Sequence, residues 1–267
     1  MNKTLFTTKT QRAARVFVIF VSLWFILCFA HVNAASALEM MQKVDQQARS
    51  HSEQHLGSLE VHDKGGKVLK KAWQSWRTGF GGNSKIIVRF TAPAEVRGVG
   101  LLIINHTRGS SDQWLYTPSI QRERRIAPQD RSVRFLGTDF SYEDMEQRDI
   151  NDSEYELLAE ETLTGSSVYK IKATPKKDVR SQYSFLFLWV DKNTWVIPVT
   201  EFYTDGKLIK KLFARSVEKI QNIWTPQEFE MQDVRRSSRT IIRLSGVQYN
   251  QPVSDDIFTL RSLRSNP

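Results

Sequence analysis

The sequence has 267 residues, of which 40% are hydrophobic, 25% charged and 11% aromatic. This composition is typical of a folded globular protein and excludes collagen-like and low-complexity chains. The formal net charge is +9, but basic residues are scattered among acidic ones, whereas a nucleic-acid-binding protein usually gathers them on one stripe or tail. We therefore expect one domain, at most two, with no nucleic-acid partner.

The first 34 residues have the pattern of a secretory signal peptide. A basic start precedes an apolar run at residues 16–30, and short side chains follow at residues 32–34. The alternative is a permanent membrane anchor, but this run of about fifteen apolar residues is short for a span of about twenty. We therefore predict a cleaved signal at residues 1–34, with cutting a few residues later also open, and a single domain at residues 35–267.

Cysteine usage narrows the possible chemistry of the exported chain. The only cysteine, Cys28, lies within the apolar run, and Leu27 stands where lipid attachment would normally want a small residue. Disulfides, cysteine-ligated metals and thiol catalysis are thus excluded from the mature chain. Export without disulfides suits a bacterial periplasm, so we predict a soluble periplasmic protein.

An amphipathic helix is predicted from Ser36 to about His55. Its apolar positions recur at spacings of three and four, at Leu38, Met41, Val44 and Ala48. Ser36 and Glu39 have the spacing of a capping box, and Gly57 lies just beyond the expected end. The narrow apolar stripe favours a helix that packs on a sheet over one that lies on a membrane surface.

After Gly57 the apolar pattern changes to a period of two, which indicates a long succession of strands. No regular alternation of strand and helix is present, so an antiparallel sheet that curls toward a barrel is expected. The Asp205-Gly206 pair between two apolar runs predicts a tight hairpin. The predicted strands cover residues 59–61, 68–77, 85–91, 99–106, 113–117, 122–127, 155–162, 168–173, 182–191, 196–203, 207–217, 228–233 and 239–249.

Two stretches interrupt or follow the strands. In residues 138–148, Ser141 precedes Asp144 by three residues, which predicts a short capped helix or lid. Near the end of the chain, Ser254 leads into the apolar residues Ile257, Phe258 and Leu260. This pattern predicts a final helical turn or strand packed against the core.

The candidate strand at residues 182–191 is apolar on both faces. Phe185, Phe187 and Trp189 share one face, while Leu186 and Leu188 occupy the other. A sheet with one face on helices and the other around a cavity needs this pattern, and so does a sheet that is simply sandwiched. The sequence leaves these alternatives open.

Patterns of known catalytic and metal sites are absent from the sequence. There is no Gly-rich phosphate loop, G-x-S-x-G elbow or H-E-x-x-H motif. His51, Glu53 and His55 fall at the expected helix end without a third placed ligand, so a solvated polar face is the better interpretation. The acids of residues 139–146 are expected to cap a helical turn and pair with arginines, although a paired-carboxylate or calcium site was the alternative. The arginines expected to pair with these acids are Arg122, Arg124, Arg125, Arg131 and Arg134.

Four motifs together resemble the exported outer membrane lipoprotein-sorting family, which is related to the LolA and LolB carriers. They are residues 114–118 (WLYTP), Arg124-Arg125, residues 137–144 (GTDFSYED) and residues 256–259 (DIFT). The resemblance extends from about Ser36 to Leu263. It implies an α+β, mainly β, LolA-like fold: an incomplete antiparallel β-barrel, or strongly curved sheet, with an N-terminal helix and short helices or a lid covering an apolar cavity.

The resemblance also implies a function without chemistry. We expect a non-enzymatic periplasmic carrier, without cofactor or metal, that ferries lipid or the acyl chains of lipoproteins between the inner and outer membranes. An inner-membrane transporter of the RND (MMPL-like) class and an outer-membrane acceptor are the implied partners, and a monomer is expected. The alternative is an accessory subunit of such an exporter, without lipid cargo of its own.

Candidate binding residues follow from the strands and the proposed lid. Arg124 and Arg125 are placed at the rim, where they could meet a phosphate head group or pair with the nearby acids. Phe140 and Tyr142 are placed on the lid. The predicted cavity lining is Val88, Phe90, Leu101, Ile103, Trp114, Tyr116, Phe185, Phe187 and Trp189.

Overall fold

The computed structural model describes residues 37–107 and 109–265. The predicted signal peptide, its cleavage site and Cys28 lie outside these residues. Helix α1 covers residues 37–48. Thirteen strands follow, and helix α2 (Leu260–Arg264) closes the described chain. No helix in the described ranges is both long enough and apolar enough to cross a membrane.

All thirteen predicted strands are present, most with shifts of a few residues at their ends, but β1 begins seven residues and β12 five residues before the predicted start. They are β1 (Ser52–His62), β2 (Val68–Thr78), β3 (Lys85–Ala92), β4 (Gly100–Ile104), β5 (Asp112–Thr117), β6 (Arg122–Arg125), β7 (Ser153–Leu163), β8 (Ser166–Pro175), β9 (Phe185–Asp191), β10 (Val199–Thr204), β11 (Lys207–Ile220), β12 (Ile223–Asp233) and β13 (Ser238–Tyr249). Short 3-10 turns lie at Gly81–Asn83, Pro118–Ile120, Pro128–Asp130, Glu143–Met145, Ile150–Asp152 and Asp255–Ile257.

The prediction for the end of the first helix was wrong. Helix α1 ends at residue 48, where its apolar stripe also ends, and β1 already begins at Ser52. Strand β1 is hydrogen-bonded on both sides, to β2 and to β13, so its backbone groups are satisfied in the sheet. Gly57 lies inside β1, not after the helix: a Cβ there would lie 2.1 Å from the Trp73 ring. Ring packing across the strands explains this glycine.

The strands form one antiparallel, curved and open sheet in the order β6-β5-β4-β3-β2-β1-β13-β12-β11-β10-β9-β8-β7. Two meanders, β1–β6 and β7–β13, meet where β1 pairs with β13. The predicted hairpin is confirmed, since Thr204 pairs with Lys207 and both Asp205 and Gly206 have positive φ. The expected fold class, mainly β with a strongly curved antiparallel sheet, is confirmed as well.

This strand order explains the interruption between β6 and β7. The two strands form opposite edges of the sheet, so residues 126–152, here called the crossing segment, must run from one edge to the other. The crossing segment and α1 cover the same face, which we call the inner face. The predicted capped helix within it is a single 3-10 turn at Glu143–Met145.

On the opposite, outer face, the end of the chain packs against β3, β4 and β5. Phe258 and Leu263 are buried there with Ile87 and Leu102. The predicted C-terminal element is therefore confirmed as a 3-10 turn followed by the short helix α2.

Candidate functional site

An apolar cavity of about 390 Å³ opens on the inner face of the second meander. Its floor comes from strands β7 to β12, and its walls come from α1, the crossing segment and the loops after β2 and β4. Side chains from several elements converge on it because inward-facing positions recur at every second residue of each strand. The apolar lining is Met41, Val44, Ala48, Phe80, Phe140, Ile150, Tyr155, Ala173, Pro175, Val179, Leu186, Leu188, Ile197, Phe202, Leu212 and Met231.

Polar lining residues come mainly from the crossing segment and from the loops around it. Arg148 and Arg180 contribute positive charge. The acidic lining residues are Asp45, Glu143, Asp144, Glu146, Asp149 and Asp152. Burial and the neighbouring Asp149 raise the pKa of Asp152. The cavity thus combines an apolar floor with polar groups of both signs, an arrangement that suits an amphiphilic ligand.

Strand β9 lines this cavity with the face opposite to the predicted one. Leu186 and Leu188 point into it, so Phe185, Phe187 and Trp189 lie on the outer face. There the ring of Phe185 stacks on Tyr203 at 4.7 Å, and Trp189 donates a hydrogen bond of 2.8 Å to Glu161. The prediction that these three aromatics line the cavity is therefore wrong. Both faces of β9 are apolar, and alternate residues of a strand point to opposite faces, so the pattern alone did not identify the inner face.

Four predicted lining residues lie on the inner face but in the first meander. Val88, Phe90, Leu101 and Ile103 are all at most 5% exposed. The crossing segment covers them with Ile126, Phe135 and Tyr142, and Val88 and Phe90 line only a void of about 20 Å³. The structure therefore places these four residues in a filled core, outside the 390 Å³ cavity.

Trp114 and Tyr116, which were also predicted to line the cavity, are on the outer face. Both pack in the cluster formed with Phe258 and Leu263 of the C-terminal end. Their placement in the cavity is corrected for the same reason as that of the β9 aromatics: alternate residues of a strand face opposite sides.

The four predicted lid or rim residues separate into two groups. Phe140 and Tyr142 are buried in the crossing segment, and only Phe140 lines the 390 Å³ cavity. Arg124 and Arg125 lie on edge strand β6, outside that lining. The Nε of Arg125 donates a hydrogen bond of 3.1 Å to Asp112. The arginines that line the cavity are Arg148 and Arg180 instead. Whether any predicted residue contacts a ligand stays a prediction.

A buried ion pair ties the crossing segment to the cavity floor. Asp144 accepts a bond of 2.7 Å from Lys210 of β11, and both side chains are under 5% exposed. Tyr183 donates to the same carboxylate at 2.7 Å, and Ser141 donates at 2.8 Å. Burial alone would raise the pKa of Asp144, but Lys210 and these donors reverse that and hold it below its usual value. Burial and the charge of Asp144 raise the pKa of Tyr183 well above normal.

Further polar contacts position the crossing segment on both sides of this pair. Asp139 is fully buried and accepts bonds from Ser238 (2.5 Å), Thr240 (2.7 Å) and Arg134 (3.1 Å). Glu143 accepts from the backbone N–H of Gln182 at 2.9 Å. The residues of the GTDFSYED motif therefore bind the segment to β11, β13 and the loop before β9.

The acids of residues 139–146 are Asp139, Glu143, Asp144 and Glu146. Two of them pair with arginines that the sequence predicted as partners. Asp139 bonds Arg134, and Glu146 bonds Arg131 at 2.8 Å. Asp144 instead finds Lys210, and Glu143 lies 3.4 Å from Arg148. Lys210 was missed because Lys210 and Lys211 are adjacent, and only the strand's orientation decides which one is buried.

Of the polar residues His51, Glu53 and His55, the last two belong to the sheet, and His51 lies just before it. Glu53 and His55 lie in β1, where the Glu53 carboxylate contacts His55 at 3.1 Å and Arg77 at 3.2 Å. Burial opposes ionisation of Glu53, but these two partners keep its pKa below the usual value. Among residues 37–107 and 109–265, no three His, Cys, Asp or Glu side chains are grouped as a metal site.

The comparisons with known proteins identify the fold. A family model described as "Uncharacterized protein" matches residues 82–265. No curated protein matches the chain. A DUF1329 family protein from Desulfovibrio piger is 29% identical, with a TM-score of 0.83 over 86% of this chain and 99% of that chain.

Two further solved structures share the fold at lower identity. A Vibrio parahaemolyticus domain, provisionally described as outer membrane lipoprotein-sorting, is 24% identical, with a TM-score of 0.82 over 87% of this chain and 100% of that chain. A LolA superfamily protein from Nitrosomonas europaea is 21% identical, with a TM-score of 0.67 over 83% of this chain and 98% of that chain. The chain belongs to the family that the matching model describes, and it has a LolA-like fold.

Proposed function

We propose that the protein is a non-catalytic carrier that binds a lipid, or an acyl chain of a lipoprotein, in the 390 Å³ cavity. The single observation that carries this proposal is the cavity itself, whose floor of Leu186, Leu188, Phe202 and Met231 is apolar. Its association with a LolA-like fold supports the same function, because the structures named above include a LolA superfamily protein.

The energetics of such binding are favourable. Each methylene group removed from water contributes about 0.8 kcal/mol, so about ten buried groups contribute about 8 kcal/mol before ordering costs. Before those costs are subtracted, this amount would correspond to a Kd of about 1 μM. The polar groups beside the cavity, Arg148, Arg180, Asp149 and Asp152, would remain with the head group at the water boundary.

The cellular setting is part of the same proposal. A signal peptide at residues 1–34 would export the chain, and the monomeric domain at residues 35–267 would carry its cargo across the periplasm from the inner to the outer membrane. An inner-membrane exporter of the RND (MMPL-like) class is the proposed donor, and an outer-membrane protein is the proposed acceptor.

The test is native mass spectrometry with lipid extraction on the mature protein purified from the periplasm. Two variants on adjacent residues of β9 provide a matched comparison: Leu188→Gln on the cavity face and Phe187→Gln on the outer face. We expect stoichiometric lipid in the wild type and in Phe187→Gln, and loss of lipid in Leu188→Gln, because a polar amide disfavours an apolar chain.

Circular dichroism and thermal unfolding confirm that each variant is folded before its lipid content is read. A lipid-free wild-type protein from its native compartment would contradict the carrier function and direct attention to an exporter subunit without cargo. Equal lipid loss in both folded variants would contradict the assignment of the binding face.

A further inference from the structure

Phe140 lies at the boundary between the large cavity and the core of the first meander. Its side chain lines both the 390 Å³ cavity and the separate void of about 20 Å³. It is 7% exposed, and its backbone carbonyl accepts a bond of 2.8 Å from Phe135. Phe140 therefore forms part of the wall that separates the two spaces.

The position of this wall is set by polar contacts on both sides of Phe140. The preceding residue, Asp139, is bound to Ser238 and Thr240 of β13. The following residue, Ser141, is bound to Asp144, which pairs with Lys210 of β11. With both neighbours anchored to different strands, the ring has little freedom to withdraw from the cavity.

The space behind the ring is apolar. The small void is lined by Leu59, Trp73, Val88, Phe90, Phe135 and Ile242, together with Thr138, Phe140 and Met145. An acyl chain that passed Phe140 would therefore meet side chains of the same character as those in the cavity. Only the bulk of the wall residues prevents the cavity from extending into the first meander.

The cavity and the void behind Phe140 differ greatly in size. The cavity has a volume of about 390 Å³, whereas the void has about 20 Å³. An acyl chain that lies along the apolar floor toward the first meander therefore ends at the Phe140 ring.

We propose that Phe140 limits the length of the acyl chain that the cavity accepts. This inference rests on the proposed carrier function. It makes Phe140 a specificity-determining residue: its ring ends the cavity, and a smaller side chain at this position lengthens it.

The experiment measures binding of a series of single-chain lysophospholipids with one common head group and acyl chains of increasing length. Native mass spectrometry on the delipidated mature protein gives the preferred length for the wild type, Phe140→Leu, Phe140→Ala and the control Phe185→Ala. Phe185 is a matched control because it is an aromatic residue on the outer face of β9.

We expect the preferred length to rise in the order wild type, Phe140→Leu, Phe140→Ala, with a total shift of about four carbon atoms, the space of the lost ring and the joined void. Phe185→Ala should keep the wild-type profile. If Phe140→Ala does not fold, Phe140→Leu decides, because it keeps an apolar side chain in the wall but one smaller than the ring.

The outcomes separate this inference from the carrier function. Binding by the wild type with no change of profile in a folded Phe140 variant would overturn the inference alone. A wild-type profile without any length preference would overturn it too. Absence of binding at every chain length in the folded wild type would instead overturn the proposed function.

Discussion

The two meanders of the sheet have similarly apolar inner faces, but their coverings differ in side-chain size. Over β1–β6 the crossing segment contributes Phe135 and Tyr142, whose rings lie 5.6 Å apart, and a void of about 20 Å³ remains. Over β7–β13 the facing residues of α1 include Ala48, Met41 and Val44, and about 390 Å³ remains. The side chains that the covering elements contribute thus differ between the filled region and the region with the cavity.

The polar contacts of the two regions also differ. Asp139 anchors the crossing segment at β13, where the meanders meet, with hydrogen bonds to Ser238 and Thr240. The Asp144–Lys210 pair anchors it beside the cavity. Over β1–β6, aromatic side chains fill the space under the crossing segment. Over β7–β13, the buried Asp144–Lys210 pair fixes the crossing segment beside the open cavity. Variants that remove each kind of contact should therefore act differently.

The largest effect is expected when the ion pair beside the cavity is broken. Lys210→Met leaves the carboxylate of Asp144 buried without its cation, which should lower the free energy of unfolding by about 3–5 kcal/mol. The control Lys211→Met removes a partly exposed pair with Glu201 and should cost about 0–1 kcal/mol. Urea unfolding of both variants measures the difference, and equal losses would contradict a special role for the buried pair.

Truncation of a leucine in each region compares their packing directly. Leu101 is fully buried in the filled first meander, whereas Leu188 faces the cavity. Leu101→Ala should lower the free energy of unfolding by about 4 kcal/mol and Leu188→Ala by about 2 kcal/mol, because the second side chain has fewer neighbours to lose. If ligand-free Leu188→Ala proved as destabilising as Leu101→Ala, the cavity would be closed in solution.

Two buried threonines give a finer comparison. In the filled region, the hydroxyl of Thr138 donates a bond of 2.7 Å to the carbonyl of Phe135, so Thr138→Val should cost about 1–2 kcal/mol. Thr200 lines the cavity, so Thr200→Val should change the stability by less than about 0.5 kcal/mol. The same replacement at Thr200 should strengthen binding of an acyl chain, which titration with a fatty acid would measure.

The smallest effect is expected on the pH dependence of the unfolding free energy. The pKa of Asp144 is lower in the folded chain than the usual value, because Lys210 and its hydrogen-bond donors outweigh the effect of burial. The resulting stabilisation is present above the unfolded-state pKa and is lost as the pH falls through the folded-state pKa. The slope of unfolding free energy against pH below about 4 should be shallower in Asp144→Asn than in the wild type. An identical slope would assign the acid sensitivity to other carboxylates.

Local sequence pattern was sufficient for most of the secondary structure. The period of two identified thirteen strands, because alternation between two environments is a property of each strand by itself. The Asp205-Gly206 pair predicted its hairpin for a similar reason, since both residues tolerate the positive φ that the turn requires. The boundary between α1 and β1 was less predictable, because Ser52 and Glu53 become strand only through pairing with β2 and β13.

By itself, the sequence determined the succession of strands, the family resemblance and the apolar character of β9. Only the tertiary structure decided that Leu186 and Leu188, not Phe185 and Phe187, line the cavity, because both faces of β9 are apolar and orientation depends on neighbouring strands. It also decided that Lys210 is buried, and that the crossing segment fills one meander and leaves the other open. These features depend on contacts between residues far apart in the chain, which no local pattern records.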